Sequence, residues 1–195
     1  QPGLRFVRQM PQLGTGHALQ QAAPVLPDDG ITVVLSGDVP LTQSDTLQAL
    51  VDATQGERLA LLTLEMNDPT GYGRIVRQAD GSVQAIVEHK DASDAQRAIR
   101  EIYSGIMAVP TRLLLPWLQR LTNDNAQQEY YLTDVVKFAV GDGHTVVAQV
   151  LHDPVQVAGV NTPVQLAELE RAYQWRRAQA LMVQGVRLRD PARLD

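Results

Sequence analysis

The sequence predicts an α/β fold, a mostly parallel sheet flanked by helices, and two observations carry that expectation. Turn-forming clusters alternate with short β-branched runs and longer stretches of helical periodicity, the pattern of strands and helices packed in layers. The run at residues 31–35 (Ile-Thr-Val-Val-Leu) is β-branched, nearly all apolar, and ends at Ser36-Gly37-Asp38; it suits a strand buried on both faces of a parallel sheet. A helix follows over 42–54, with Leu47, Leu50 and Val51 on one face and Gly56 past its end. Residues 59–64 read as the next strand, and 67–73, dense in turn formers, as a loop. Strands are expected at 74–76 and 83–88 around the Ala79-Asp80-Gly81 turn, then helix at 91–100 and strand at 102–109, with Pro110 opening a short helix. Leu132, Val135, Val136, Ala139 and Val140 make a helical stripe, and 145–150 a strand. The last helix has a clear start: Thr162 as N-cap, Pro163 in the first helical position and Gln165 completing a capping box. Leu166, Leu169 and Tyr173 then share a face, Gly185 supplies a stop, and the tail to Asp195 resembles a linker.

Bulk properties narrow the function. The 195 residues suit one domain, and 44% hydrophobic with 20% charged residues is an ordinary globular composition. Seventeen basic against 22 acidic side chains give a net charge of -5, which argues against a general nucleic-acid-binding surface but not against holding one nucleotide. With no cysteine, disulfides, thiolate catalysis and zinc-thiolate sites are excluded. No secretory signal and no apolar run long enough for a bilayer is present, so no membrane partner and a cytoplasmic location are expected. H-E-x-x-H, Walker A and G-x-S-x-G motifs are missing, which removes support for a zinc hydrolase, a P-loop NTPase or a serine hydrolase.

Three constellations could carry chemistry. Ser36-Gly37-Asp38-Val39-Pro40 follows the first apolar strand, and ligands of open α/β sheets sit beyond the carboxyl ends of strands. A carboxylate there suits Mg²⁺, a hard cation that prefers oxygen ligands; the plainer reading is a turn cap before Pro40. Gln12-Leu13-Gly14-Thr15-Gly16-His17-Ala18 opens a helical segment, where backbone N–H groups can meet an anion or a base edge. His17 is read there as a packing or exposed residue, not an acid–base catalyst. Asp68-Pro69-Thr70-Gly71-Tyr72-Gly73-Arg74 has two glycines that permit close approach to a ligand, or it is a surface loop. Arg171, Arg176 and Arg177 read as the solvated face of the last helix, and Trp117 and Trp175 as packing residues.

Taken in order, Q-L-G-T-G-H-A (12–18), G-D-V-P (37–40), D-P-T-G-Y-G-R-I (68–75), I-V-E-H-K-D-A (86–92), E-Y-Y-L-T-D (129–134), G-V-N (159–161) and G-V-R-L-R-D-P-A-R (185–193) closely resemble the GlmU family over essentially the whole chain. These are bifunctional N-acetylglucosamine-1-phosphate uridylyltransferases and glucosamine-1-phosphate acetyltransferases. The resemblance implies a Rossmann-like nucleotide-diphospho-sugar transferase fold, with residues 1–184 the uridylyltransferase domain and 185–195 a linker toward a left-handed β-helix acetyltransferase domain. It implies Mg²⁺-dependent transfer of uridylyl from UTP to N-acetylglucosamine 1-phosphate, giving UDP-N-acetylglucosamine and pyrophosphate for bacterial cell-envelope precursors. Asp38 and Asn161 match the family's metal ligands. Gln9, Gly14 and Thr15 match its uracil-binding positions, Ser36–Asp38 lies against the nucleotide sugar, and Gly73, Glu88, Tyr103 and Asn161 occupy its sugar-binding positions. Full-length members are homotrimers through the acetyltransferase domain.

The chain departs from the family in two ways. Tyr103-Ser104-Gly105 stands where the family has Asn-Thr-Gly, and a Tyr cannot reproduce an amide's paired donor and acceptor. Nothing matches the family's phosphate-cradling L-A-A-G-x-G-x-R-M and following Lys, so the domain is expected to be N-terminally incomplete. Two alternatives stay open: a nucleotidyltransferase for another sugar 1-phosphate, and a non-catalytic nucleotide-sugar-binding fragment. A glycosyltransferase lacks its Asp-x-Asp motif.

Overall fold

A computed structural model describes residues 3–194; Gln1, Pro2 and Asp195, which fall within the expected domain and linker, lie outside the described residues. The chain divides into two compact units. The first comprises residues 1–35 and 47–152, the second residues 36–46 and 153–195.

The first unit is built on a six-stranded sheet: β1 (Ile31–Val34), β2 (Leu59–Glu65), β3 (Arg74–Arg77), β4 (Val83–Val87), β5 (Glu101–Pro110) and β6 (Val146–Val150). The order is β4-β3-β5-β2-β6, with β1 also paired to β5. β5 runs antiparallel to β1, β2 and β3, and β3 antiparallel to β4. Among the described residues only β2 and β6 pair in parallel. The α/β layering holds, but the mostly parallel sheet does not. An apolar run reports burial, not strand direction. β1 is moreover half-buried along its length, not enclosed on both faces, whereas β2 is buried from Leu59 to Leu64.

The helices of this unit are α1 (Thr15–Ala22), the greater part of α2 (Ser44–Thr54), α3 (Asp94–Arg97), α4 (Thr111–Gln119) and α5 (Asp134–Gly141). α4 and α5 bury Leu114, Trp117, Leu118, Val135, Val136 and Ala139 in one cluster with Leu59, Leu61, Ile75, Met107 and Val109 of the sheet. Trp117 Nε1 donates to Asp142 Oδ2 at 2.8 Å and Arg120 Nη1 pairs with the same oxygen at 2.6 Å, so a residue just past α5 is tied to α4. Those two bonds, the Trp117 one first, hold the Asp142 carboxyl below its ordinary value. The expected helix at 91–100 shrinks to a single turn. Ser93 and Gln96 form a capping box that delays its start, and β5 begins at Glu101.

In the second unit, α6 (Pro163–Val183) starts with the expected Thr162–Gln165 capping box. It ends in a Schellman arrangement: Gly185 N–H donates to Met182 and Val186 N–H to Leu181, with Gly185 at φ 92°. Of the expected shared face only Leu169 is buried; Leu166 and Tyr173 are exposed. Arg176 is not simply solvated. It donates to Leu41 O at 3.3 Å and pairs with Asp153 at 3.3 Å. α2 starts at Ser44, not residue 42, because the Thr42 hydroxyl donates to the Gln156 carbonyl at 2.9 Å and holds the chain outside the helix. Among the described residues no helix is long and apolar enough to cross a membrane.

Burial separates two helical leucines. Leu114 is fully enclosed and Leu166 is 53% exposed. Leu114→Ala should lower the unfolding free energy by about 2–5 kcal/mol, and Leu166→Ala should leave it within about 0.5 kcal/mol. Urea unfolding of the two variants checks this.

Candidate functional site

The sequence-derived residues fall into three groups, two in the first unit and one in the second. The first group is at the start of α1. Gly14 is its N-cap, at φ 99°, and a Cβ there would stand 2.8 Å from both Glu129 Cβ and Tyr130 O. Only glycine tolerates both that conformation and that approach. The approach arises because Tyr130 N–H donates to Leu13 O and Gly16 N–H to Tyr130 O, each at 2.8 Å. Thr15 Oγ1 accepts from Leu132 N–H at 3.3 Å. Gln9 Nε2 donates to Gly14 O at 2.9 Å. Gln9, Gly14 and Thr15 are thus brought together, and the E-Y-Y-L-T-D segment is what braces them.

The second group is Gly73, Glu88 and Tyr103. Tyr103 N–H donates to Gly73 O at 2.9 Å. A Cβ on Gly73 would meet Ile86 Cγ2 at 2.8 Å and lie 3.6 Å from Glu88 Oε2. Glu88 Oε1 accepts from the Thr133 hydroxyl at 2.9 Å. Beside it a cleft of about 140 Å³ has Glu88, Asp91, Asn125, Tyr131, Asp134 and Lys137 among its lining residues. Asp91 accepts from the Tyr131 hydroxyl at 3.0 Å and from Ala126 N–H at 3.0 Å. Burial raises the Glu88 carboxyl above its ordinary value. The Thr133 bond opposes that rise, and the nearby Asp91, Asp134 and Glu129 charges add to it. Tyr103 is buried, its hydroxyl enclosed with no hydrogen-bond partner among the described residues. Burial, with the Glu88 charge second, pushes that phenol up. The ring therefore fills space where a shorter side chain would leave room.

Arg74 supports this group in a way the sequence did not disclose. It is 1% exposed yet forms no ion pair among the described residues. Its guanidinium donates to Tyr72 O, to Arg97 O at 3.4 Å and toward His89 Nδ1 at 3.2 Å. Backbone carbonyls compensate the buried cation, and the glycine loop is anchored from beneath.

The third group, in the second unit, is Ser36, Gly37, Asp38 and Asn161. A turn from Ser36 O to Val39 N–H presents Asp38 at the surface. Val160 N–H donates to Asp38 O at 2.9 Å, which sets the G-V-N segment beside G-D-V-P. A Cβ on Gly159 would lie 3.1 Å from Asp38 Oδ2 and 3.7 Å from Asn161 Nδ2, so both side chains converge on this glycine. Asn161 is held by its N–H bond to Gln165 Oε1 at 2.8 Å, at the entry to α6. The buried Gln156 fastens the two segments. Its Oε1 accepts from Thr46 Oγ1 at 2.7 Å and its carbonyl from Thr42. Turning the Asn161 amide end for end puts its oxygen where Nδ2 stands without changing the side chain's shape; a carboxylate and an amide oxygen are donors of the hard type Mg²⁺ prefers, and an exposed pair leaves the remaining positions to water and ligand. The residues present therefore fit the ion. No cluster of three or more His, Asp or Glu able to hold a metal occurs among the described residues.

Thr133, Gln156, Arg74, Asp91 and Tyr131 were not singled out from sequence. Thr133, Arg74, Asp91 and Tyr131 sit inside the ordered motifs, which was the available signal. Gln156 had none.

The comparisons with known proteins give the family. The nucleotidyl transferase family profile matches residues 3–175, and the chain belongs to that family; it is a nucleotidyltransferase. Within the family it is similar to the bifunctional protein GlmU. It shares 74% identity with that of Polaromonas naphthalenivorans (strain CJ2) over 98% of this chain and 41% of the relative. With that of Pseudomonas fluorescens (strain Pf0-1) it shares 58%, over 98% of this chain and 42% of the relative. The chain thus spans about two-fifths of the length of these curated relatives. A solved structure described as a glucose-1-phosphate thymidylyltransferase from Bacillus anthracis superposes with a TM-score of 0.59 at 18% identity, covering 94% of this chain and 66% of that one. At that identity it shows the shared fold alone.

The raised Glu88 carboxyl has a measurable consequence. The folded chain binds this proton more tightly than the unfolded chain does. Stability therefore falls as pH rises from the ordinary glutamate range through the raised folded value, and stays lower above it. Glu88→Gln, which can still accept from Thr133, should unfold at a higher temperature than the parent at about pH 8 and lose that advantage at about pH 4.

Proposed function

We propose that this chain transfers uridylyl from UTP to N-acetylglucosamine 1-phosphate, forming UDP-N-acetylglucosamine and pyrophosphate for cell-envelope precursors. The observation that carries the proposal is 74% identity to a GlmU protein over 98% of the chain, together with the ordered motifs of that family. In this reading Asp38 and Asn161 hold Mg²⁺, which neutralises and orients phosphate oxygens when bound. Gln9, Gly14 and Thr15 receive the base, and Ser36, Gly37 and Asp38 the nucleotide sugar. Gly73, Glu88, Tyr103 and Asn161 receive the acetamido sugar. Residues 1–184 act as the catalytic domain and 185–195 as a linker.

A phosphate oxygen of the sugar phosphate attacks the α-phosphorus of UTP in line, forming the new P–O bond as the bond to pyrophosphate breaks. That oxygen is already anionic, so no enzyme nucleophile or strong base is required. What the residues contribute is position and charge complementarity. What supports this reading is a half-buried carboxyl at Glu88 and an Asp–Asn pair converging on Gly159, with no nucleophile–base couple in any of the groups.

Asp38→Ala in the full-length protein should lower pyrophosphate release by more than about a hundredfold, the scale of a lost charge-neutralising metal. Asp38 is exposed, so the unfolding temperature should move little. Turnover at the parent level under saturating Mg²⁺ contradicts the assignment.

Tyr103 favours a second reading, an enzyme for a different sugar 1-phosphate, because its buried ring replaces the amide of the family. The first reading expects Tyr103→Asn to lower KM for N-acetylglucosamine 1-phosphate, while lowering stability by about 2–4 kcal/mol through lost packing. A shift of preference toward glucose 1-phosphate in that variant supports the second. Steady-state kinetics with the two sugar phosphates separates them.

A further inference from the structure

His17 has both ring nitrogens engaged by amides. Gln9 Nε2 lies 3.1 Å from His17 Nδ1, and Gln21 Nε2 lies 3.2 Å from His17 Nε2. Gln9 Nε2 also lies 2.9 Å from Gly14 O. A carbonyl oxygen can only accept, so the Gly14 contact fixes which end of the Gln9 amide is nitrogen. The second hydrogen of that nitrogen then meets His17 Nδ1, which must accept and so carries no proton. A neutral ring with a bare Nδ1 bears its proton on Nε2. Nε2–H is satisfied if Gln21 presents its amide oxygen, the end-for-end exchange that leaves the side chain's shape unchanged. The ring is further steadied by Tyr130, with centroids 6.0 Å apart. Both hydrogens of Gln9 Nε2 are thereby committed, and Gln9 Oε1 remains as a pure acceptor.

We infer that His17 is a positioning residue that locks the Gln9 amide with its oxygen outward, and that this lock makes the base subsite select a pyrimidine bearing N–H at position 3. Uracil has that hydrogen. Cytosine has a lone pair at N3, which faces the Gln9 oxygen unfavourably and would instead need the amide turned round. The inference rests on the base-binding reading of Gln9. Without the Nδ1 acceptor, one of the two bonds that orient the amide is gone, and turning it costs correspondingly less.

The test is the ratio of kcat/KM for UTP to that for CTP in the full-length protein, with the CTP constant taken from competition against UTP. His17→Phe keeps the ring against Tyr130 and removes the acceptor. It should lower the ratio about fivefold, the worth of one net hydrogen bond, through KM rather than kcat. His17→Asn, whose oxygen can stand near the Nδ1 position, should restore most of it. If His17→Phe does not fold, His17→Ala carries the same expectation. An unchanged ratio in the acceptor-less variant while Gln9→Ala lowers it overturns the lock alone. An unchanged ratio in Gln9→Ala overturns the base-binding reading, and the inference with it.

Discussion

The first unit depends on β5. Its ten residues pair antiparallel with β1, β2 and β3, so one strand fixes the register of three others. That demand explains its composition. Ile102, Ile106, Met107, Ala108 and Val109 are fully enclosed, and each face must fill space without an unpaired polar group. Its polar side chains differ: the Ser104 hydroxyl donates to Leu62 O at 2.7 Å, Glu101 accepts from Thr63 and Arg77, and the Tyr103 hydroxyl, beside Gly73 and Glu88, has no partner among the described residues. Because β5 carries Tyr103 and clasps Gly73 through a main-chain bond, packing of the sheet and shape of the candidate sugar subsite are set by the same strand.

The second unit obeys a different constraint, polar rather than apolar. It has few buried apolar side chains, among them Leu169 and Ala178 of α6. The segment 36–46 is held to 153–160 chiefly by hydrogen bonds: Val160 to Asp38, Thr42 and Thr46 to Gln156, and Arg176 to Leu41 and Asp153. Net hydrogen bonds are worth about 1 kcal/mol each, yet they are directional. They fix the positions of Asp38 and Asn161 without excluding water from them.

The sequence made the local features legible. The α6 capping box, its glycine stop, the strand positions and the order of the motifs all follow from short-range chemistry, and the motif order alone pointed to the GlmU proteins that the chain proves similar to. What it hid was long-range. Strand direction is decided by partners, so β1 and β2 could not be told apart by apolarity. Thr133 bonds to a residue 45 positions away and Gln156 to one 110 away, and neither leaves a local trace. Arg74 inverts the usual rule that arginine stays in water, because three acceptors are delivered to it by a loop, a helix and a neighbouring histidine. His17, read as a bystander from its place in a glycine-rich turn, proves to have both nitrogens occupied.

Selectivity between sugar phosphates tests the central proposal most directly. With UTP and Mg²⁺, the full-length protein should use N-acetylglucosamine 1-phosphate with a kcat/KM at least about tenfold above that for glucose 1-phosphate, because a pocket that hydrogen-bonds a substituent penalises its loss. Equal use of both, a preference for glucose 1-phosphate, or pyrophosphate release from thymidine triphosphate in preference to UTP would contradict the proposal and leave only the nucleotidyltransferase class standing.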